Sequence, residues 1–144
     1  MLDFALIALP EQFDIDPPAY AFDDDILRLI NRLRFHAVAC RASAYLDIHE
    51  ACRMSGPLAG QDPAARILIR VLGQVLGRRP VWHRPGAATL SFDEAWLAQV
   101  IRAHRDDDAD SYVFLTTRRI APEKRRLFAM LLHNLTTHFW RAAA

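Results

Sequence analysis

The sequence is poor in cysteine, glycine and lysine, and the first two shortages exclude whole classes of structure. Two cysteines in 144 residues are too few for a scaffold held together by disulfides. Five glycines match neither the Walker nor the dinucleotide-binding spacing, so no phosphate-binding loop is predicted. Lys124 is the only lysine in a chain rich in arginine. We attribute that bias to GC-rich codon usage rather than to selection for guanidinium geometry.

The chain also lacks a hydrophobic run long enough to cross a membrane. The apolar segment at residues 1–10 is too short to span a bilayer, and no basic residue precedes it as in a signal peptide. We therefore expect a cytoplasmic protein without membrane association, in which Cys40 and Cys52 are reduced thiols. On one continuous helix these two cysteines would lie about 18 Å apart, so we expect no disulfide between them.

Positive charge is missing from the first 27 residues. They hold seven acidic residues and no lysine or arginine, whereas the rest of the chain holds all 18 basic residues against 10 acidic ones. The net charge of the whole chain is only +1. We expect the acidic segment to lie against the basic body, and the alternative is that the body binds an anionic partner.

Residues 1–22 are predicted to form an extended arm, because proline and acidic residues interrupt their aromatic residues. Residues 23–144 are predicted to form one helical domain. Its first helix is predicted from the aspartates at 23–25 to Cys52, with a break allowed near residue 42. The apolar stripe of this helix comprises Ile26, Ile30, Leu33, Ala37, Cys40, Ala44, Ile48 and Cys52.

Start signals at Asp62-Pro63, Ser91–Glu94 and Pro122-Glu123 predict three more helices, the second with a capping box. Ser111–Ile120 has strand composition but no strand to pair with, so a short helix is predicted there. The predicted fold is an all-α single bundle of about five helices with an extended acidic N-terminal arm. The predicted buried residues of the longer helices are Ile67, Leu68, Val71, Leu72, Val75 and Leu76; Trp96, Leu97, Val100 and Ile101; and Leu127, Phe128, Leu131, Leu132, Leu135 and Phe139.

Catalytic and metal-binding patterns are weak throughout the sequence. His49 and Cys52 share a helix face, but a structural zinc site needs four ligands and no second pair has ligand spacing. The paired carboxylates Asp93-Glu94 and Asp106–Asp110 lie at helix ends, where capping or solvation explains them. We therefore expect no metal, no cofactor and no catalysis. An enzyme of unknown reaction is an alternative, because active sites can be assembled without a local pattern.

The loop at residues 78–86 is the candidate binding surface. Two prolines and a glycine exclude regular structure and restrict its backbone. Tryptophan and arginine are enriched at binding hot spots, and histidine can change charge near neutral pH. The structural alternative is that Trp82 anchors the loop in the bundle. The candidate ligand-binding or partner-binding residues are Arg78, Arg79, Trp82, His83 and Arg84.

The expected function is a non-catalytic helical domain for protein interaction or regulation. A homodimer through helix surfaces is predicted, because large apolar residues such as Phe139 and Trp140 occur near the end of the last helix. The alternative is a DNA-binding regulator that uses the basic turn before that helix, although a near-neutral chain argues against it. The candidate nucleic-acid-binding residues are Arg118, Arg119, Lys124, Arg125 and Arg126.

Overall fold

The computed structural model describes residues 22–42 and 63–143, which contain five α-helices and no strand. The helices are α1 (Asp24–Ala42), α2 (Pro63–Leu76), α3 (Phe92–Arg105), α4 (Ala109–Arg119) and α5 (Pro122–Ala143). The predicted all-α bundle is thereby confirmed. The predicted arm, apart from Phe22, and the predicted course of the first helix beyond residue 42 lie outside the described residues. Among the described helices, none combines the length and the apolar character needed to cross a bilayer.

Hydrogen bonds at the helix ends explain where the helices begin and end. Ser91 Oγ accepts the backbone N–H of Glu94 at 3.0 Å, and the Glu94 carboxylate accepts the backbone N–H of Ser91 at 3.0 Å. This is the predicted capping box. Gly77 follows α2 with a φ of 78°, a conformation that glycine adopts without steric cost. Asp108 caps α4 by accepting the backbone N–H of Ser111, so the segment with strand composition is helical, as predicted.

The core is centred on α3, whose side chains contact elements on several sides. The Trp96 ring lies 5.7 Å from the Phe128 ring of α5, and its indole N–H donates to the Leu115 carbonyl of α4 at 3.1 Å. Phe22, the one described residue of the predicted arm, is buried in the same core with the Arg102 guanidinium 4.7 Å from its ring. Among the described residues, the largest fully buried side chains are Phe128, Ile26, Leu29, Ile30, Leu33, Leu68, Leu72, Leu90, Leu97, Ile101, Leu132 and Leu135.

Two residues predicted to be buried are exposed, Ile67 at 47% and Leu127 at 41%. Each lies one residue away from the stripe that faces the core, and one residue turns a helix by about 100°. Phe139, in contrast, is buried, and Trp140 packs against the core. These two residues therefore give no reason for self-association, and the homodimer stays a prediction without that support.

Candidate functional site

Two adjacent carboxylates at the start of α3, Asp93 and Glu94, hold the segment that joins α2 to α3. We call residues 77–90 the clamped loop. Glu94 is 0% exposed, and its partner Arg34 of α1 is 3% exposed. The Nε and Nη2 atoms of Arg34 donate to the two carboxylate oxygens of Glu94, both at 2.9 Å. This bidentate geometry offsets the cost of taking both charges out of water.

The Arg34–Glu94 pair also binds the main chain of the clamped loop. Arg34 donates to the carbonyl oxygens of Ala87 at 3.1 Å and Thr89 at 2.8 Å. The carboxylate of Glu94 accepts the backbone N–H of His83 at 2.9 Å. The loop is irregular, so no helix or strand pairs its main-chain groups. These side-chain contacts satisfy them instead. One buried ion pair therefore fixes three positions of the loop.

Two further side chains hold the clamped loop. Nδ1 of His83 lies 2.8 Å from the Thr89 carbonyl oxygen and therefore carries the proton that it donates there. The same nitrogen is 3.8 Å from the Glu94 carboxylate. Oδ1 of Asn31, on α1, accepts the backbone N–H of Gly86 at 2.8 Å. Gly86 has a φ of 85°, which a residue with a Cβ would adopt only with strain.

Asp93 is the second buried carboxylate that binds the loop, and it is 4% exposed. It accepts the backbone N–H of Val81 at 2.7 Å and two bonds from Arg78 at 2.6 and 3.1 Å. Arg119 of α4 donates to it at 2.7 Å. Burial by itself would raise the pKa of Asp93, but the three donors together hold this pKa below its ordinary value. Asp93 therefore joins the loop to α4 as an ionised group.

Arg119 reaches Asp93 between two aromatic rings. Its guanidinium carbon lies 5.2 Å from the centre of the Phe92 ring and 4.9 Å from that of Trp96. Its Nη1 is buried and has no hydrogen-bond partner among the described residues. The two ring faces supply the electron density that an acceptor would otherwise provide. Phe92, although 66% exposed, thus has a structural role as a cover over this ion pair.

The predicted binding residues of the loop divide into two groups. Arg78 is bonded to Asp93, Trp82 packs half-buried against the core, and His83 is bonded to the loop and to α3. These three side chains are used within the domain. Arg79 and Arg84 are exposed, as is Val81 at 55%. Two predicted arginines and the apolar side chain of Val81 are therefore among the groups that the loop presents to solvent.

The predicted nucleic-acid-binding residues are also divided. Arg119 is turned inward to Asp93, and Lys124 and Arg125 donate to main-chain carbonyl oxygens of α2 and of the turn before α5. Arg118 is exposed and lies over the ring of Phe114 at 4.9 Å. Arg126 is exposed. Two of the five side chains are thus left as an exposed basic surface.

Sequence reasoning missed Arg34 and Asn31. Arg34 lies at helical spacing from Ile30 and Ala37, both of which belong to the predicted apolar stripe. An arginine inside such a stripe is a signal for a buried charge with a partner. Asn31 carries no comparable signal, because an asparagine beside an apolar stripe is ordinary surface.

Comparisons with known protein families, with curated proteins and with solved structures find no match to this chain. Within residues 22–42 and 63–143, no three His, Cys, Asp or Glu side chains are placed together to hold a metal ion. His49 and Cys52, which share a face of the predicted first helix, lie outside the described residues. Function must therefore be inferred from the geometry of the clamped loop and its surroundings.

Proposed function

We propose that this chain is a non-catalytic, cytoplasmic protein-interaction domain and that its partner binds the clamped loop. The observation that supports this most directly is the use of buried charge to hold a loop. Arg34, Asp93 and Glu94 are each more than nine-tenths buried, and all three bind main-chain groups of residues 81–89. Apolar side chains would fill such positions at a lower desolvation cost. A need to keep the loop in one conformation explains the arrangement better than stability alone.

A loop that is already ordered loses less entropy when a partner binds. Arg79, Val81 and Arg84 are among the side chains that the clamped loop exposes, whereas the partly exposed Arg78 is bonded to Asp93. Two guanidinium groups and an apolar group suit a partner surface with carboxylates around an exposed apolar side chain. The cytoplasmic location is proposed from the sequence, whose two cysteines are too few for a scaffold held together by disulfides.

Photo-crosslinking in cells that express the chain tests the proposal. A crosslinking phenylalanine analogue replaces Val81, and in the matched control it replaces Met130, which is 52% exposed on α5. We expect an adduct with one partner from position 81 that is absent from position 130. The Arg79→Ala/Arg84→Ala double variant should lose this adduct. Since both arginines are exposed, its Tm should stay within about 2 °C of the unsubstituted chain.

Two outcomes would count against the loop surface. One is equal labelling at both positions, and the other is an adduct that survives the double variant. An adduct of twice 16.4 kDa would identify the partner as a second copy, as the homodimer prediction expects. The DNA-binding alternative predicts instead binding to random duplex DNA that weakens steeply with salt and depends on Arg118 and Arg126.

A further inference from the structure

A groove of about 460 Å³ lies between α1 and the clamped loop. Leu27, Ile30 and Leu90 give it an apolar floor, and Asn31 and Arg34 give it a polar wall. We infer that this groove binds a short, extended, uncharged peptide segment of a partner protein through its main-chain carbonyl groups. The inference rests on the proposed function, because it specifies how a protein partner engages the domain.

The polar wall contains a hydrogen-bond donor that lacks an acceptor. A guanidinium has five N–H bonds, and Arg34 donates four of them, to Glu94, Ala87 and Thr89. In the described part of the chain no acceptor meets the fifth, which is on Nη1. Arg34 lines the groove, and a poorly hydrated N–H without an acceptor is costly. A ligand carbonyl in the groove would remove that cost.

Asn31 supplies a second donor beside the first. Its Oδ1 accepts the backbone N–H of Gly86, and the N–H₂ group of the same side chain remains as a donor. That group has no acceptor within the described ranges. Asn31 and Arg34 are three residues apart on one helix face, where side chains start about 5–6 Å apart. Carbonyls on one side of an extended peptide recur about every 6.6 Å, a spacing similar to that at which these two side chains leave the helix.

The charges around the groove favour a neutral ligand over an anion. Arg34 is neutralised by Glu94, and Arg28 is bonded to Asp25. Asp24 lines the groove and has no cationic partner among the described residues. An anionic ligand would therefore meet an uncompensated carboxylate. An uncharged peptide avoids this repulsion and can place an aliphatic side chain on the apolar floor.

Titration of the isotopically labelled full chain with two short peptides tests the inference. N-acetyl-leucyl-alanyl-leucine amide is neutral, and the same peptide with a free carboxylate in place of the terminal amide carries one negative charge. We expect the neutral peptide to give saturable NMR shifts at millimolar concentration. The shifts should occur at the backbone amides of Gly86 and Ala87 and at the side-chain amide of Asn31. The carboxylate form should bind severalfold more weakly.

A matched pair of variants localises the binding. Ala87→Phe fills the groove and keeps the Ala87 carbonyl, whereas Ala88→Phe adds the same ring at an exposed residue outside the groove. Ala87→Phe should weaken binding of the neutral peptide by at least about tenfold, and Ala88→Phe should leave it unchanged. Shifts that never saturate, or that persist in Ala87→Phe, would overturn the inference. If Ala87→Phe does not fold, equal binding of the two peptides to the unsubstituted chain overturns it as well.

The two proposals fail separately. Peptide binding without a crosslink at position 81 would overturn the loop surface and support the groove. A crosslink without peptide binding would overturn the groove alone. A dimer in light scattering that Ala87→Phe dissociates would assign the groove to a second copy, and would overturn its assignment to a partner peptide.

Discussion

The two ends of α3 carry similar acidic sequences and use them in opposite ways. At the N-terminal end, Asp93 and Glu94 are buried and bind three arginines that come from α1, the clamped loop and α4. At the C-terminal end, Asp106–Asp108 and Asp110 are exposed, and Asp106 bonds to the adjacent Arg105. The carboxylates at one end join distant segments of the chain, whereas Asp106 and Asp108 at the other end bond to near neighbours in the sequence.

This difference shows that burial, rather than acidity, decides how much a carboxylate matters to the fold. An exposed ion pair is screened by water and contributes little. A buried charge depends on its partner, because the protein interior cannot solvate it once the partner is removed. Substitutions at the two ends of α3 should therefore differ in effect, although the residues are of the same type.

The largest effect is expected from Glu94→Gln. The neutral amide leaves the buried guanidinium of Arg34 without a counter-charge, and removing one partner of a buried pair costs about 3–5 kcal/mol of the free energy of unfolding. Urea denaturation measures this loss. The matched control is Asp110→Asn at the exposed end, which should leave the midpoint unchanged.

A double-mutant cycle with Arg34→Gln separates the ion pair from the capping role of Glu94. We expect a coupling energy above about 1 kcal/mol, because the two side chains share two hydrogen bonds inside the core. A coupling energy near zero would contradict this expectation. A loss of unfolding free energy below about 1 kcal/mol in Glu94→Gln alone would show that the buried carboxylate stabilises the fold no more than the exposed ones.

Asp93→Asn should cost less, about 2 kcal/mol. The amide oxygen of the new side chain can still accept the backbone N–H of Val81. The side chain of Arg78, which is 49% exposed, can return to water. Thermal unfolding at neutral pH measures the difference. A loss as large as that of Glu94→Gln would indicate that Arg119, which lies between two rings, cannot find another partner.

The pH dependence of Asp93→Asn gives a separate test. The pKa of Asp93 is lower in the folded state than in the unfolded chain, so the folded state binds this proton less readily. The stabilisation is complete above the unfolded pKa, near 4, and is lost as the pH falls from there through the folded pKa. The gap in stability between the unsubstituted chain and Asp93→Asn should therefore narrow below about pH 4. A constant gap would contradict a role for the carboxylate charge.

A histidine near the other end of α3 should respond closer to neutral pH. The ring of His104 lies 5.7 Å from His133 of α5 and 6.1 Å from Tyr112 of α4. Burial first, and His133 second, lower the pKa of His104 against the opposite effect of Asp107. Stability is therefore lost as the pH falls from about 6.5 through the folded pKa. The His104→Gln variant should lose less stability over this pH range. A profile of stability against pH that is identical to that of the unsubstituted chain would contradict this expectation.

Local signals in the sequence were sufficient for the helices. A capping box, a proline at the first position of a helix and a glycine after its last position act within one turn, so they are visible without tertiary structure. The same local signals wrongly predicted that Ile67 and Leu127 are buried, because the rotation of a helix against its neighbours depends on packing. An apolar residue beside the buried stripe satisfies the pattern equally well.

The clamped loop was recognisable from its composition, but its contacts were not. The sequence predicts a helix-capping role for Asp93 and Glu94, and Glu94 does cap α3. Nothing near them in the sequence indicates that Glu94 binds Arg34, 60 residues earlier. Such pairs depend on which helices become neighbours. Sequence reasoning could have flagged Arg34 as a charge within an apolar stripe, but it could not have named its partner.

The smallest effects separate two aspartates at the exposed end of α3. Asp108 accepts the backbone N–H and the hydroxyl of Ser111, which lower its pKa and make it the N-cap of α4. Asp110 lies in the first turn of the same helix, whose N-cap is Asp108. Asp108→Ala should therefore lower the Tm by roughly 2–5 °C, whereas Asp110→Ala should change it by less than about 1 °C. Calorimetry of the two variants side by side measures both shifts.

Equal shifts would mean that the negative charge near the helix start, rather than the hydrogen bond, is what α4 requires. In that case the exposed carboxylates would act on the helix dipole as a group, and the contrast between the two ends of α3 would rest on the buried end alone.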